Sequence, residues 1–387
     1  MLKLLVTEGV GLQIQVADDI FRSMGRIVLI ALLLTYSFSV NANDGAFYAA
    51  GNHLIPIQET SITVKKEVLS MKKVDDKFIE VTVYYEFYNP DPEKTITVGF
   101  EAGRPLGDVD GTPKKGQHPY IYDFTVQMNG YFLKYDIAYV NDALYEEKGV
   151  VKTMKLDDAL KSIDNENVVD FGYVYHFKAR FKPGINIIKH TYAYKVSNSV
   201  EMIYDIQYVL TAAKRWGNKQ IDDFTLMLDM GNFETFNLKK TFFLNVKDWT
   251  LLGVGKFSDT TYGLDGVLKE KVLRFHIRKG VAMFHQLNFR PSGEIELYSE
   301  NMMSSPQDST YLPFSLNGYD FGFDDSKDEF LRKVYRNLPF ARRGYVFQSA
   351  DLQAFFSKLD WYMPDPNYQP DVEMLDEREK KWISRWK

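Results

Sequence analysis

The stretch Phe78-Ile79-Glu80-Val81-Thr82-Val83-Tyr84-Tyr85-Glu86-Phe87 decides the fold. Ile79, Val81, Val83, Tyr85 and Phe87 fall on one side of an extended chain, while Glu80, Thr82 and Glu86 fall on the other. A period of two with one apolar and one polar face belongs to a strand that rests on a core and shows its back to water. Asn89-Pro90-Asp91-Pro92 stops it, because proline has no N–H for the ladder. Ile96, Val98 and Phe100 then start a second alternating strand.

Outward from this pair the same period recurs. Asn129-Gly130 lies between Phe124/Val126/Met128 and Phe132, and Asn-Gly supplies the positive φ angles of a type I′ hairpin turn. Phe181-Lys182-Pro183-Gly184 joins Tyr173/Tyr175/Phe177 to Ile185/Ile187 and Tyr192/Tyr194 in a similar way. Residues 142–161 carry a weaker helical pattern, expected as one or two short helices. Phe224/Leu226/Leu228, Phe242/Leu244, Leu273/Phe275/Ile277 and Ile295/Leu297 continue the alternation, and Gly253-Val254-Gly255 reads as a strand turn. Half-apolar strands are buried by packing sheets face to face. The expectation is a mainly β chain, with one or two antiparallel β-sandwich domains over residues 43–300 and a sub-boundary near 215. No fixed-period repeat is visible.

Residues 301–325 change character: Ser304, Ser305, Pro306, Pro313, Asn317 and Gly318 mark a linker. A small helical domain is expected over 326–387. Asp324, Asp325, Asp328 and Glu329 precede Arg332, Lys333 and Arg336, the order that the helix dipole favours. Ser349 is placed to cap a helix through Leu352, Phe355 and Phe356. Val372, Leu375, Trp382, Ile383 and Trp386 share one face of a last helix.

The N-terminal part has the layout of an export signal. Arg26 precedes the apolar run Ile27–Leu34, and Ser39-Val40-Asn41-Ala42 offers small residues for cleavage after Ala42. The signal is expected over residues 24–42, with translation starting at Met24 and residues 1–23 a misassigned start or an extension. The run is shorter than the roughly twenty residues that span a bilayer, so no transmembrane span is expected after cleavage. The product is expected in the periplasm or outside the cell.

Aromatic residues are abundant, with 28 Phe, 25 Tyr and 5 Trp, which favours strands. The balance of 47 basic against 52 acidic residues argues against a general nucleic-acid binder. The absence of Cys excludes disulfides, thiolate metal sites and Cys nucleophiles. None of His53, His118, His176, His190, His276 and His285 stands at metal-ligand spacing, and those in strands are expected to be satisfied or exposed. Asp108-Val109-Asp110-Gly111 lacks the distal ligands of a calcium loop and reads as a turn. No P-loop or Gly-x-Ser-x-Gly is present, and no cofactor is implied. Arg332, Lys333, Arg336, Arg342 and Arg343 have no acid between them and are the candidate site for an anionic partner; the alternative is a solvated helix end.

Arg336-Asn337-Leu338-Pro339-Phe340-Ala341-Arg342-Arg343-Gly344-Tyr345-Val346-Phe347, then Leu352-Gln353-Ala354-Phe355-Phe356 and Trp361-Tyr362, resembles the YARHG domain, a small bacterial extracellular module with no established molecular function. The likeness runs from about Phe330 to Trp386. The naming motif reads Phe340-Ala341-Arg342-Arg343-Gly344, with Phe340 for the tyrosine and Arg343 for the histidine, so neither hydroxyl nor imidazole stands there. Pro339 is expected to kink the helix. Gly344 reads as a left-handed residue after the helix end, Arg342 as a structural hydrogen-bonding residue, and Trp361 and Tyr362 as core anchors. Upstream, Asn43-Asp44-Gly45-Ala46, Gly51, Ile55-Pro56, Phe181-Lys182-Pro183-Gly184 and Trp216 resemble an exported bacterial family catalogued as domain of unknown function 4424. Together these imply an exported two-part protein and no reaction. The leading expectation is a non-catalytic binding or assembly protein of the cell envelope, its partner an envelope protein or glycan. The alternatives are a cell-wall glycan or peptide hydrolase using two carboxylates distant in sequence, and membrane-surface association through residues 332–343.

Overall fold

The computed structural model describes residues 46–47, 53–56, 60–75, 77–107, 109–140, 153–161, 163, 169–198, 204–262, 269–299 and 328–386. The expected signal, the N-terminal extension and the linker over 301–325 lie outside the described residues. The chain is mainly β. Its strands are β1 (Ala46–Phe47), β2 (His53–Pro56), β3 (Thr63–Val74), β4 (Phe78–Asn89), β5 (Lys94–Ala102), β6 (Leu106–Gly107), β7 (Ile121–Met128), β8 (Tyr131–Phe132) and β9 (Asp136–Val140). They continue as β10 (Gly172–Phe181), β11 (Gly184–Lys195), β12 (Ser197–Asn198), β13 (Tyr204–Tyr208), β14 (Ile221–Asp229), β15 (Glu234–Lys239), β16 (Trp249–Tyr262), β17 (Glu270–Phe289) and β18 (Ile295–Ser299). The helices are α1 (Leu156–Lys161), α2 (Glu329–Ala341), α3 (Ala350–Phe356) and α4 (Glu377–Arg385).

Strand β4 behaves as its alternation demands: Ile79, Val81, Val83, Tyr85 and Phe87 are buried while Glu80 and Glu86 are not. It lies in a 14-stranded sheet between β3 and β11, and β7 and β8 follow beyond β11. Asn129 (φ 51°) and Gly130 (φ 87°) turn the β7–β8 hairpin with the two positive φ angles of a type I′ turn. A second, four-stranded sheet has the order β2-β5-β10-β9. Rings join the two layers: Phe100 of β5 meets Phe124 of β7 at 4.9 Å and Tyr192 of β11 at 4.8 Å.

The segment Phe181-Lys182-Pro183-Gly184 is a corner between layers and not a second hairpin, because β10 pairs in the small sheet and β11 in the large one. Asn89 sits at the neighbouring crossover, where its side chain donates to the carbonyls of Pro92 and Phe181 at 3.2 Å each. Strand β14 then pairs parallel with β3, so the large sheet runs continuously from the first β block into the second. Phe242 and Leu244 do not form a strand. Phe242 and Phe243 are both buried in a turn, and Leu244 faces solvent. Gly253-Val254-Gly255 lies inside β16 at a bulge, where a Cβ on Gly253 would sit 2.2 Å from the Lys279 carbonyl. Glycine there answers the close approach of β17.

In the C-terminal module Asp328 caps α2 by accepting from the amides of Phe330 and Leu331. Ser349 stands at the start of α3, but its hydroxyl makes no capping bond. Val372 belongs to a separate 3₁₀ turn and is exposed, whereas Leu375, Trp382, Ile383 and Trp386 are buried. Pro339 lies within the last turn of α2. It has no N–H for the Tyr335 carbonyl, and that carbonyl accepts instead from Trp382 Nε1 at 2.7 Å. Among the described residues no helix is long and apolar enough to cross a membrane.

Candidate functional site

The module meets the β-body over strands β15 and β17. The helix α2 ends with two bonds, Tyr345 N–H to the Phe340 carbonyl (3.0 Å) and Gly344 N–H to the Ala341 carbonyl (2.8 Å). This is the Schellman pattern, which places Gly344 in the left-handed region at φ 92°. Space imposes glycine as well: a Cβ there would lie 2.5 Å from Arg278 Nη2 and from the Met363 carbonyl. Arg278 comes from β17, donates to the Met363 carbonyl through Nη2 and reaches Asp365 Oδ2 at 3.3 Å through Nη1. The glycine of the module's motif is therefore also the place where the β-body's arginine enters.

The two arginines before it turn inward. Arg343 holds Glu379 of α4 in bidentate fashion, at 2.6 and 2.9 Å, and Arg342 donates to the same carboxylate. Glu379 also completes a reciprocal cap with Asp376 at the start of α4. Burial alone would raise the Glu379 carboxyl, yet the Arg343 hydrogen bonds and the Arg342 charge bring it below the ordinary value. Burial brings the Arg342 guanidinium down to about 10, and Glu379 opposes that loss. Glu379 and Arg342 are thus both charged at neutral pH. Both guanidinium groups lie over the ring of Phe233, at 4.2 Å for Arg342 and 5.0 Å for Arg343. Phe233 takes φ 58° in the turn between β14 and β15, and its amide donates to the Arg278 carbonyl.

A small cavity lies along this seam, lined among others by Thr235, His276, Arg278, Arg342 and Trp361. Thr235 Oγ1 and His276 Nδ1 are 2.9 Å apart. Burial, with help from the Arg274 and Lys256 charges, brings His276 down to about 3, so its ring is neutral. Glu234 also borders the cavity and is ion-paired with Lys73 at 3.0 Å, with Tyr204 and Ser299 donating to it.

The basic stretch is divided by this arrangement. Arg342 and Arg343 are committed to Glu379, Arg336 is half-buried, and Arg332 and Lys333 are exposed, Lys333 pairing with Glu329 at 3.0 Å. Trp361 and Tyr362 are buried, and the Tyr362 hydroxyl donates to the Tyr345 carbonyl at 2.6 Å. Sequence reasoning missed Phe233, Arg278 and Glu379. The spacing Asp376-x-x-Glu379 was the available signal for the last.

A second small cavity, lined by Glu67, Tyr85, Tyr208 and Trp216 among others, lies inside the body. Burial raises Glu67 to about 8, against the hydrogen bond from Tyr85, so the acid keeps its proton at neutral pH. His190 departs from the expectation of a satisfied or exposed ring. It is fully buried between Tyr85 and Tyr192, with centroids 5.9 Å away on each side, and neither nitrogen has a hydrogen-bond partner. His118 is satisfied: Nε2 contacts the Gly103 carbonyl and Nδ1 accepts from Tyr120. Asp110 accepts from the Thr112 amide in a local turn. Among the described residues no three His, Asp or Glu side chains are grouped to hold a metal ion.

No curated protein matches the chain. Among solved structures, a candidate nutrient-binding protein of Legionella pneumophila is 20% identical with a TM-score of 0.48, covering 89% of this chain and 99% of its own. An M1 zinc metallopeptidase of Deinococcus radiodurans is 9% identical with a TM-score of 0.26, over 63% of this chain and 43% of its own. Baculovirus P35 is 12% identical with a TM-score of 0.26, over 64% of this chain and 98% of its own. Likenesses at this level assign neither ligand nor reaction. Residues 321–387, which hold the inward-turned arginines, Gly344 and Glu379, match the YARHG domain family.

Proposed function

We infer that this chain is an exported protein of the bacterial cell envelope that binds or assembles with an envelope partner and performs no reaction on it. The observation that carries this reading is the isolation of the buried acids. Among the described residues, the seam cavity is bordered by one carboxyl group, Glu234, and the body cavity by one, Glu67. Glu234 is held by Lys73, and Glu67 keeps its proton. Hydrolysis of a glycan needs two carboxyl groups facing one bond, about 5–9.5 Å apart. Among the described residues neither of these cavities supplies the second.

The export signal over residues 24–42, and the resemblance of the upstream part to domain of unknown function 4424, support an envelope location. The YARHG module supports it too, since that family is extracellular. With Arg342 and Arg343 turned to Glu379, the exposed side chains of the basic stretch are Arg332 and Lys333, and they are the ones that an anionic partner would meet. The test is incubation of the purified mature protein with peptidoglycan sacculi, measuring soluble fragments against buffer. No release is expected. Release that disappears in Glu67→Gln or Glu234→Gln would overturn the non-catalytic reading.

A further inference from the structure

We propose that the cavity within the β-body bordered by Glu67, Tyr85, Tyr208 and Trp216 is a binding site for a small ammonium ion, ammonium itself or methylammonium, with the Glu67 carboxylate as its counter-ion. This goes beyond partner binding, since the ligand is an ion inside the body. Glu67 lies in the large sheet between Tyr85 of β4 and Phe224 of β14, and all three residues are buried. Tyr85 is its hydrogen-bond partner, and the Tyr85 and Tyr208 hydroxyls are 3.4 Å apart. The polar ends of three side chains that border the cavity are thus held together. The other lining residues, Val64, Ala213 and Trp216 among them, bring no charge.

A buried carboxyl is ordinarily paired with a cation. Among the described residues no cation is paired with Glu67, and the acid keeps its proton at neutral pH instead, at a cost in stability. An ammonium ion is the ligand that lets it ionise, because N–H bonds to a carboxylate are stronger than those between neutral groups. Three oxygen-bearing side chains answer the three N–H groups of a methylammonium, whereas calcium and magnesium take six or more oxygens. Trp216 adds an aromatic ring to the lining, and a desolvated cation gains from such a neighbour. A water in the same place would leave the acid uncharged, and the cavity is too small for bulky amines. On binding at neutral pH Glu67 gives its proton to solvent, and the ion takes the proton's place. The titratable groups around it are Tyr85 of β4 and Tyr208 of β13, both raised far above their ordinary range, and His190 stacked on Tyr85, brought down to about 3. Strand β14 and the segment over residues 209–216 present Phe224, Ala213 and Trp216, which do not titrate. The released proton therefore belongs to Glu67.

The melting temperature of the mature protein is followed against methylammonium chloride at constant ionic strength, with potassium chloride and tetramethylammonium chloride as controls. A saturable rise of about 3 °C or more is expected with methylammonium, and none with either control. Glu67→Gln keeps the bulk of the side chain and removes its charge, so its rise should vanish. Should that variant fail to fold, Tyr208→Phe, which loses one acceptor, should need at least about threefold more ligand to reach half of the rise. An equal rise in wild type and variant means a general salt effect and sinks the assignment, as does a rise with potassium equal to that with methylammonium. The apparent affinity should be about tenfold higher at pH 7.5 than at pH 6.5, because one proton leaves for each ion bound. Equal affinity at the two values would show that Glu67 does not ionise and would overturn its role as counter-ion. Inertness toward sacculi is measured without the ion, so either result can fail without the other.

Discussion

In the β-body, His190 lies between Tyr85 and Tyr192 and Glu67 lies beside Tyr85, and burial strips both of charge: the histidine is brought down to about 3, the acid raised to about 8. In the module, Glu379 has no exposed surface either, yet it stays ionised between Arg342 and Arg343. The two regions solve one problem differently because they differ in size. The body packs two sheets around a large aromatic core, where a neutral imidazole serves as one more ring. Among the described residues the module has the helices α2, α3 and α4 and a core of eleven buried side chains, Tyr335, Phe356, Trp382 and Trp386 among them. A core that small buries little apolar area, and an ion network ties its helices together. Such a network adds little net stability over an apolar substitute, but it is costly to break from one side.

The largest expected effect therefore follows from Glu379→Leu. It leaves two guanidinium groups over Phe233 without their carboxylate and removes the reciprocal cap of α4. Breaking a buried pair from one side costs about 3–5 kcal/mol, enough to unfold a module of this size. Hydrogen exchange read by peptide should show protection lost across α2 and α4 while β4 and β11 keep theirs. Retained protection in α2 would mean that the rings, and not the charges, hold the module. Loss in both regions together would mean that body and module unfold as one unit.

The pH dependence comes next and carries opposite signs within the body. For His190 and His118, both brought down to about 3, the unfolded chain takes up protons below about 6.5 that the native state refuses. Stability then falls as pH drops from about 6.5 toward 3. Glu67 keeps its proton in the native state up to about 8, while the unfolded chain loses it above about 4.5. Its contribution falls as pH rises through that window. Urea midpoints should show Glu67→Gln gaining more at pH 8 than at pH 5, and His190→Leu gaining more at pH 5 than at pH 8. A gain independent of pH in either variant would show that packing rather than ionisation sets the effect.

The same division governs what the sequence disclosed. The faces of β4, the Asn129-Gly130 turn and the left-handed Gly344 are settled within a few residues of chain, and periodicity or turn chemistry finds them. Partner choice is not local. Nothing in Phe181-Lys182-Pro183-Gly184 distinguishes a hairpin from a corner, because the difference lies in which sheet receives β11. The parallel pairing of β3 with β14 likewise depends on segments far apart in the chain. The basic stretch read as a site for an anionic partner, or else as a solvated helix end, because no acid stands within it; Glu379, which Arg342 and Arg343 hold, comes from another helix, 36 residues beyond Arg343. Its reciprocal cap with Asp376 was legible as a helix start, but not as the destination of two arginines. Phe233 and Arg278 had no local signal, since an aromatic residue in a turn and a cation in a strand are ordinary until the module covers them.

The smallest expected effect sharpens the comparison at the point where the two regions touch. A double-mutant cycle between Phe233→Leu and Arg343→Met isolates the stacking of the guanidinium on the ring from the bond to Glu379, which the second substitution removes in both backgrounds. A partly buried cation over an aromatic face contributes about 0.5–2 kcal/mol, so a coupling of about 1 kcal/mol is expected in the unfolding of the module. Leucine keeps the turn apolar and of similar bulk, and the φ of 58° at position 233 strains both residues alike. A coupling near zero would make the ring a spacer and leave Arg278, through Met363 and Asp365, as the latch between body and module. A coupling as large as the loss in Phe233→Leu itself would mean that the ring acts on the module wholly through the arginine, so that the body helps to hold the charge network the module depends on.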